Sequence, residues 1–291
     1  MPELPEVEVL VRHLRPLIAN KTIRGVRVRR AKVVAPTPPA QLKRVLRNAK
    51  LTGLSRRGKY LLFELRPRGR RPTVRLAVHL GMTGRIHLAR RGVPLPKHAA
   101  VVVDLGRNNL IFEDTRHFGR FTLDTSMLAK LGPEPLSKEF TAGRLAEALA
   151  RSTQAIKVRL LDQALLAGVG NIYASEALFR ARISPRAAAC RLTADQVRRL
   201  VRAIRAVLAG AIQFGSTVPL HHGRDRGPDE LFYFGRAADT PDHYEERLCV
   251  YDRAGWPCRR CGCRIKRIVQ AARSTFFCPG CQTRTPRAES V

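Results

Sequence analysis

The chain is short of acidic residues, of aromatics and of long apolar runs, and each shortage excludes something. Against 54 Lys and Arg it has only 23 Asp and Glu, a formal net charge of +31 over 291 residues. The basic residues run through segments with folded patterning and are not gathered in one tail. Such a surface calls for a polyanionic partner, most simply a phosphate backbone. A GC-rich genome would explain Arg over Lys but not the deficit of acids. Aromatics make up 6%, too few for a single-strand binder built on stacking platforms, which favours duplex. No run approaches the length of a membrane span and no basic-then-apolar leader stands at the start. These features predict a cytoplasmic protein that works on DNA, with no membrane contact.

The seven cysteines are an odd number, which argues against a disulfide framework in a chain with no export signal. Four of them form two pairs, Cys258-x2-Cys261 and Cys278-x2-Cys281, separated by a hairpin's length. That spacing suits four thiolates around one tetrahedral zinc, a closed and therefore structural site. Cys263 falls outside the pattern, and Cys190 and Cys249 read as small packed residues. Arg264, Lys266, Arg267 and Arg273 put positive charge on the intervening hairpin, as a groove or phosphate contact requires.

Periodicity divides the rest. Thr22–Val28, Tyr60–Leu65, Thr73–His79, Arg85–Leu88, Ala99–Leu105, Asn109–Glu113 and Arg120–Leu123 are short, alternating or apolar, and separated by turn residues. Many short strands without intervening helices predict an antiparallel sandwich or barrel. Gln41–Asn48 reads as a short helix, and 131–136 as a linker. Beyond it, Arg144–Arg151, Ile156–Ala164, Ile172–Arg182 and Ala194–Phe214 have helical spacing. The segment 215–247 is polar and irregular. In the turn Gly168-Val169-Gly170-Asn171, Asn171 is placed to cap the next helix and its amides to hold a phosphate.

The first residues are Met1-Pro2-Glu3-Leu4-Pro5-Glu6. With Met1 removed, Pro2 would offer an α-amine of pKa about 8 against about 10.4 for Lys, so roughly a tenth is nucleophilic at pH 7. Attack on an aldehyde or sugar carbon gives an iminium, with Glu3 beside it as a proton donor. A Met-Pro start alone is more often a solvated tail. Here Leu4, Val7, Val11 and Leu14 share one face of a helix that Pro5 opens and Pro16 is expected to stop, so docking would fix Pro2 in place. Lys59, before an apolar strand, suits proton shuttling or phosphate binding. Met82 and Phe118, each in a Gly-flanked loop with Arg116 near, suit wedges that enter a base stack after a base leaves it.

In series these motifs resemble the formamidopyrimidine-DNA glycosylase family. The likeness runs from Pro2–Glu8 through Arg57–Leu62, His79–Gly84, Leu131–Leu136 and Ala167–Glu176 to the four-cysteine module. It implies an α+β multidomain fold. An N-terminal antiparallel β-sandwich (1–133) precedes a helix–two-turn–helix domain (134–250), and a four-cysteine zinc hairpin (251–291) follows. It implies excision of oxidised purines from damaged double-stranded DNA by a monomer, then cleavage of the abasic site by β,δ-elimination. One structural zinc and no catalytic cofactor are expected. Residue by residue, Pro2 matches the Schiff-base nucleophile, Glu3 the acid that opens the sugar, Lys59 the proton donor of β-elimination and Arg273 the hairpin arginine of δ-elimination. Met82, Arg116 and Phe118 match the side chains that fill the gap, and His98 and Asn171 match DNA contacts. Arg151 stands near where relatives often carry a contacting Lys. The 216–247 segment departs from the family's lesion-capping loop, and Tyr251-Asp252-Arg253 from its Tyr-Gly-Arg. The alternatives are an endonuclease VIII-like enzyme for oxidised pyrimidines, disfavoured by Leu4, and a non-catalytic zinc-dependent DNA-binding protein.

Overall fold

The computed structural model describes residues 2–69, 72–214 and 248–283. The chain separates into two compact units, one ending at Ala129, the other running from Lys130 to Phe214 and taking in the described C-terminal residues.

The first unit opens with α1 (Leu4–Ile18). Leu4, Val7, Leu10, Val11, Leu14 and Ile18 are at most 2% exposed, a helical stripe facing the core. Full burial of one such side chain stabilises by about 1.5–3 kcal/mol. Pro16 does not stop this helix as the sequence predicts. The turn continues to Ile18, whose burial anchors it, and Ala19 N still donates to Arg15 O at 3.0 Å. Then follow β1 (Gly25–Val28), α2 (Pro39–Leu46), β2 (Lys50–Arg57), β3 (Tyr60–Arg66), β4 (Val74–His79), β5 (Arg85–Arg90), β6 (Ala99–Asp104), β7 (Asn108–Glu113) and β8 (Arg120–Thr122).

The strands form two antiparallel sheets, β1-β6-β7-β5 and β2-β3-β4-β8. One core lies between them, with Phe63, Leu76, Val78 and Phe121 from one sheet against Ile86, Val101, Leu110 and Phe112 from the other. The Phe112 and Phe121 rings meet across it at 5.9 Å. This is the expected sandwich. The sequence pattern missed β2: a register shift between Leu51 and Gly53 breaks its alternation, and its outward residues are polar.

The second unit contains α3 (Ala142–Leu149), α4 (Ile156–Leu160), α5 (Asn171–Ala181), α6 (Ala194–Gln213) and a hairpin of β9 (Lys266–Gln270) and β10 (Arg273–Phe277). Thr193 and Gln196 cap α6 reciprocally. Between α4 and α5 the turn is braced by Gln163, which accepts from Gly168 N and donates to Val169 O. Among the described residues no helix is long and apolar enough to cross a membrane. The 216–247 departure and Met1 lie outside the described residues.

Candidate active site and zinc module

At the start of α1, Pro2 is partly buried and Glu3 is 1% exposed. The Glu3 N–H donates to Glu6 Oε2 at 2.7 Å, closing the first turn. Glu8 then binds Arg56 (2.9 Å) as well as Arg12 (2.8 Å). Arg56 in turn donates to Gly58 O at 3.1 Å. Burial pushes the Glu8 carboxyl up, but the hydrogen bonds and charge of the two guanidiniums outweigh it and hold it below its usual value. A chain of polar contacts thus joins the first turns of α1 to the bend that carries Lys59. Lys59 itself is 7% exposed, so it is no solvated surface lysine. Beside it His79 lies under the Tyr60 ring at 4.7 Å. Burial, then the charges of Lys59 and Arg120, pull His79 down to about 4. It is therefore neutral, and its Nδ1 accepts from Gly81 N at 3.1 Å.

On the same unit Met82 and Phe118 stand 47% and 52% exposed. The Arg116 guanidinium lies 5.1 Å from the Phe118 ring, within cation–π range. Arg116 is exposed and His98 half-buried. The structure therefore brings the expected wedge side chains onto two neighbouring loops, Leu80–Gly84 and Asp114–Gly119.

In the second unit Asn171 is not the cap of α5. Gly170 takes that position and Asn171 is the first helical residue. Its side chain reaches the hairpin instead: Nδ2 donates to Ser274 O at 2.9 Å and Oδ1 accepts from Lys157 Nζ. Lys157 is 0% exposed and also donates to Thr275 Oγ1 at 3.0 Å and Ser274 O at 3.5 Å. Arg273, next to Ser274, is exposed, as is Arg151 beyond α3. Sequence reasoning gave Lys157 no role, nor Glu176. The Glu176 carboxylate accepts from the N–H groups of Cys249, Val250 and Tyr251 at 2.8–2.9 Å. Burial raises its pKa despite those bonds. It fastens α5 to the segment entering the four-cysteine module. The only sequence signal for either residue is a charged side chain on a helix face otherwise apolar.

The Sγ atoms of Cys258, Cys261, Cys278 and Cys281 lie within 4.8 Å of one another. Cys258–Cys281 is 3.9 Å, Cys261–Cys278 3.4 Å and Cys261–Cys281 3.5 Å. Zn–S bonds of about 2.3 Å put tetrahedral sulfurs roughly 3.8 Å apart, so the four thiols fit one zinc ion with no open position. Cys263 is outside this set. Cys190 is exposed and not packed, since it sits on a short 3-10 turn at the surface.

A β-sandwich with a seated N-terminal helix, joined in one chain to a helical unit with a basic hairpin and four clustered cysteines, defines a zinc-finger protein. Three descriptions match it in order: the formamidopyrimidine-DNA glycosylase N-terminal domain over residues 1–121, the H2TH domain of the same enzyme over 131–220, and a zinc finger found in FPG and IleRS over 255–284. The formamidopyrimidine-DNA glycosylase of Thermus thermophilus is 43% identical over 98% of this chain and 100% of its own length. The Lactococcus lactis Fpg in complex with abasic-site DNA superposes with a TM-score of 0.85 at 34% identity, covering 97% of this chain and all of that one. The same Fpg solved with DNA containing an oxidised pyrimidine gives 0.84 at 34% identity, with the same coverage. The chain belongs to the formamidopyrimidine-DNA glycosylase family. It is accordingly a DNA glycosylase with AP-lyase activity, and its module holds one structural zinc.

Proposed function

We propose that this protein removes oxidised purines from damaged duplex DNA and nicks the resulting abasic site through a covalent intermediate on Pro2. With Met1 removed, the Pro2 amine attacks C1′ of the damaged nucleoside and the C1′–N glycosidic bond breaks, its electron pair leaving with the base. Glu3 protonates the sugar oxygen as the ring opens, which leaves an iminium between Pro2 and C1′. That cation acidifies C2′. Loss of a C2′ proton expels the 3′ phosphate, with Lys59 as proton carrier, and δ-elimination at the 5′ side is assigned to Arg273. Water then hydrolyses the iminium and frees the amine.

A base inside the stack shields its sugar, so the nucleotide must leave the duplex before attack. Met82 and Phe118 fill the gap, with Arg116 facing the orphaned partner strand. His98, Arg151 and Asn171 contact the backbone. The observation that carries this reading is the seating of α1. Leu4 is 0% and Glu3 1% exposed, so the residue before them is held in place and is no loose tail. The basic excess supplies the duplex affinity.

Borohydride reduction on an 8-oxoguanine duplex tests the reading. Wild type is expected to yield a covalent adduct and Pro2→Ala far less of it, with duplex binding kept. Equal trapping by the variant would move the nucleophile elsewhere, and no adduct with wild type would rule out the covalent intermediate. An oxidised-pyrimidine substrate is the second reading, since a relative has been solved on such DNA. A clear preference for thymine glycol over 8-oxoguanine would favour it.

A further inference from the structure

We propose that Asp114 is a positioning residue whose buried carboxylate locks the two loops bearing Met82 and Phe118 into a single preformed wedge. This rests on the reading that those side chains enter the base stack. Asp114 is 0% exposed. Its Oδ1 accepts from Thr83 Oγ1 at 2.7 Å, on the Met82 loop, and from Arg116 N at 3.2 Å, on the Phe118 loop. Its Oδ2 accepts from Gly119 N at 2.7 Å. Arg116 N also lies 3.3 Å from Thr83 Oγ1, so the hydroxyl joins the loops at two points. The Asp114 N–H donates to His98 O at 3.1 Å. One residue therefore touches all three segments that carry expected DNA contacts in this unit.

The backbones of the two loops are themselves in contact. Gly81 has φ +62°, and a Cβ there would lie 2.8 Å from Gly119 N. A Cβ on Gly119 would fall 2.6 Å from the Phe112 ring and 2.9 Å from His79 O. Only glycines allow this approach, and it places the loops close enough for one carboxylate to serve both.

The physical need is clear. Entering a base stack costs a few kcal/mol of unstacking. If the loops had to be ordered in the same step, each residue fixed would add about 1–2 kcal/mol. Two exposed apolar tips also gain nothing from water, and loose loops would fold them onto the surface. A carboxylate satisfied by two N–H groups and one O–H fixes the loops before DNA arrives, so that ordering cost is absent from the binding step. The N–H and O–H donors also compensate the burial of the charge.

Thr83→Val tests the proposal. It keeps the β-branched shape, removes both hydroxyl contacts between the loops, and leaves Asp114 bound to Arg116 N and Gly119 N. A 2-aminopurine placed next to the lesion brightens when its neighbour is unstacked and so reports wedge entry. Thr83→Val is expected to lose most of that rise and to excise the base about tenfold more slowly in a single turnover, the effect of one hydrogen bond to a charged group. Trapping on a preformed abasic site should change less than about threefold, since no base has to be expelled, and Thr83→Ser should restore both readouts. Asp114→Asn should fall between, because its amide keeps one acceptor but faces one N–H with another. A wild-type fluorescence rise and rate in Thr83→Val would overturn the proposal, as would Thr83→Ser behaving like Val. If wild type forms no borohydride adduct, the covalent mechanism proposed above fails, while the fluorescence arm still decides whether the wedge is locked through Thr83.

Discussion

Asp114 in the first unit and Lys157 in the second do the same work with opposite charge. Both are 0% exposed. The carboxylate collects donors from two loops, and the ammonium donates hydrogen bonds to acceptors on α5 and β10. They differ in what they depend on. Asp114 reaches Thr83 across 31 residues, inside a sandwich with its own core. Lys157 reaches Thr275 across 118 residues, on a two-stranded hairpin that cannot stand alone without its metal. One expected DNA surface is therefore organised by the fold itself, and the other by the fold and zinc together.

Removing zinc should break the comparison most severely. Structural zinc contributes on the order of 10 kcal/mol in small modules. Cys278→Ser, or chelation, is expected to strip amide protection from β9 and β10 in hydrogen exchange while β5, β6 and β7 keep theirs. DNA affinity should fall with it. Unchanged hairpin protection in metal-free protein would contradict this asymmetry.

Lys157→Met comes next. It leaves Thr275 Oγ1 and Asn171 Oδ1 without this buried donor, and should destabilise by about 2–3 kcal/mol in denaturant unfolding. A loss below about 0.5 kcal/mol would mean that Lys157 organises nothing.

Acid should then weaken the first unit. His79 is pulled to about 4 by burial, Lys59 and Arg120, and His87 to about 4 by burial and Arg85. The unfolded chain takes up these protons near 6.5, before the folded one does. The stability these two histidines contribute is therefore full above about 6.5, falls as pH drops toward 4 and levels off beneath it. Thermal melts from pH 8 to 4 read this directly, and His79→Gln should flatten part of the slope.

The smallest effect is expected for Glu8→Gln, under about 1 kcal/mol because the pair with Arg12 is exposed. The Glu8 contribution is present above 4.5 and is lost as pH falls through its depressed value. A large loss at neutral pH would show that the Glu8–Arg56 link does more than join α1 to the Lys59 bend.

The same contrast explains what could be read from the chain. The four cysteines were legible because metal chemistry is written in their spacing, and most strands because alternation is local. β2 was not, since its bulge at Leu51–Gly53 breaks the period. Pro16 looked like a stop because propensity is local, whereas the burial of Ile18 is not. Asp114 and Lys157 are silent in the sequence for one reason. A single charged residue in a basic chain reads as solvated, and only the packing of distant segments turns it into a buried hub. As a cap for α5, Asn171 is displaced by Gly170: capping is a local interaction, whereas its side chain bonds Lys157 and the hairpin.

In the mechanism proposed above, a secondary amine at Pro2 attacks the sugar. Mass spectrometry of the borohydride-reduced adduct, after proteolysis, tests it most directly. The DNA remnant is expected on the peptide beginning at Pro2. A remnant on the peptide containing Lys59, or on any other lysine, would contradict it.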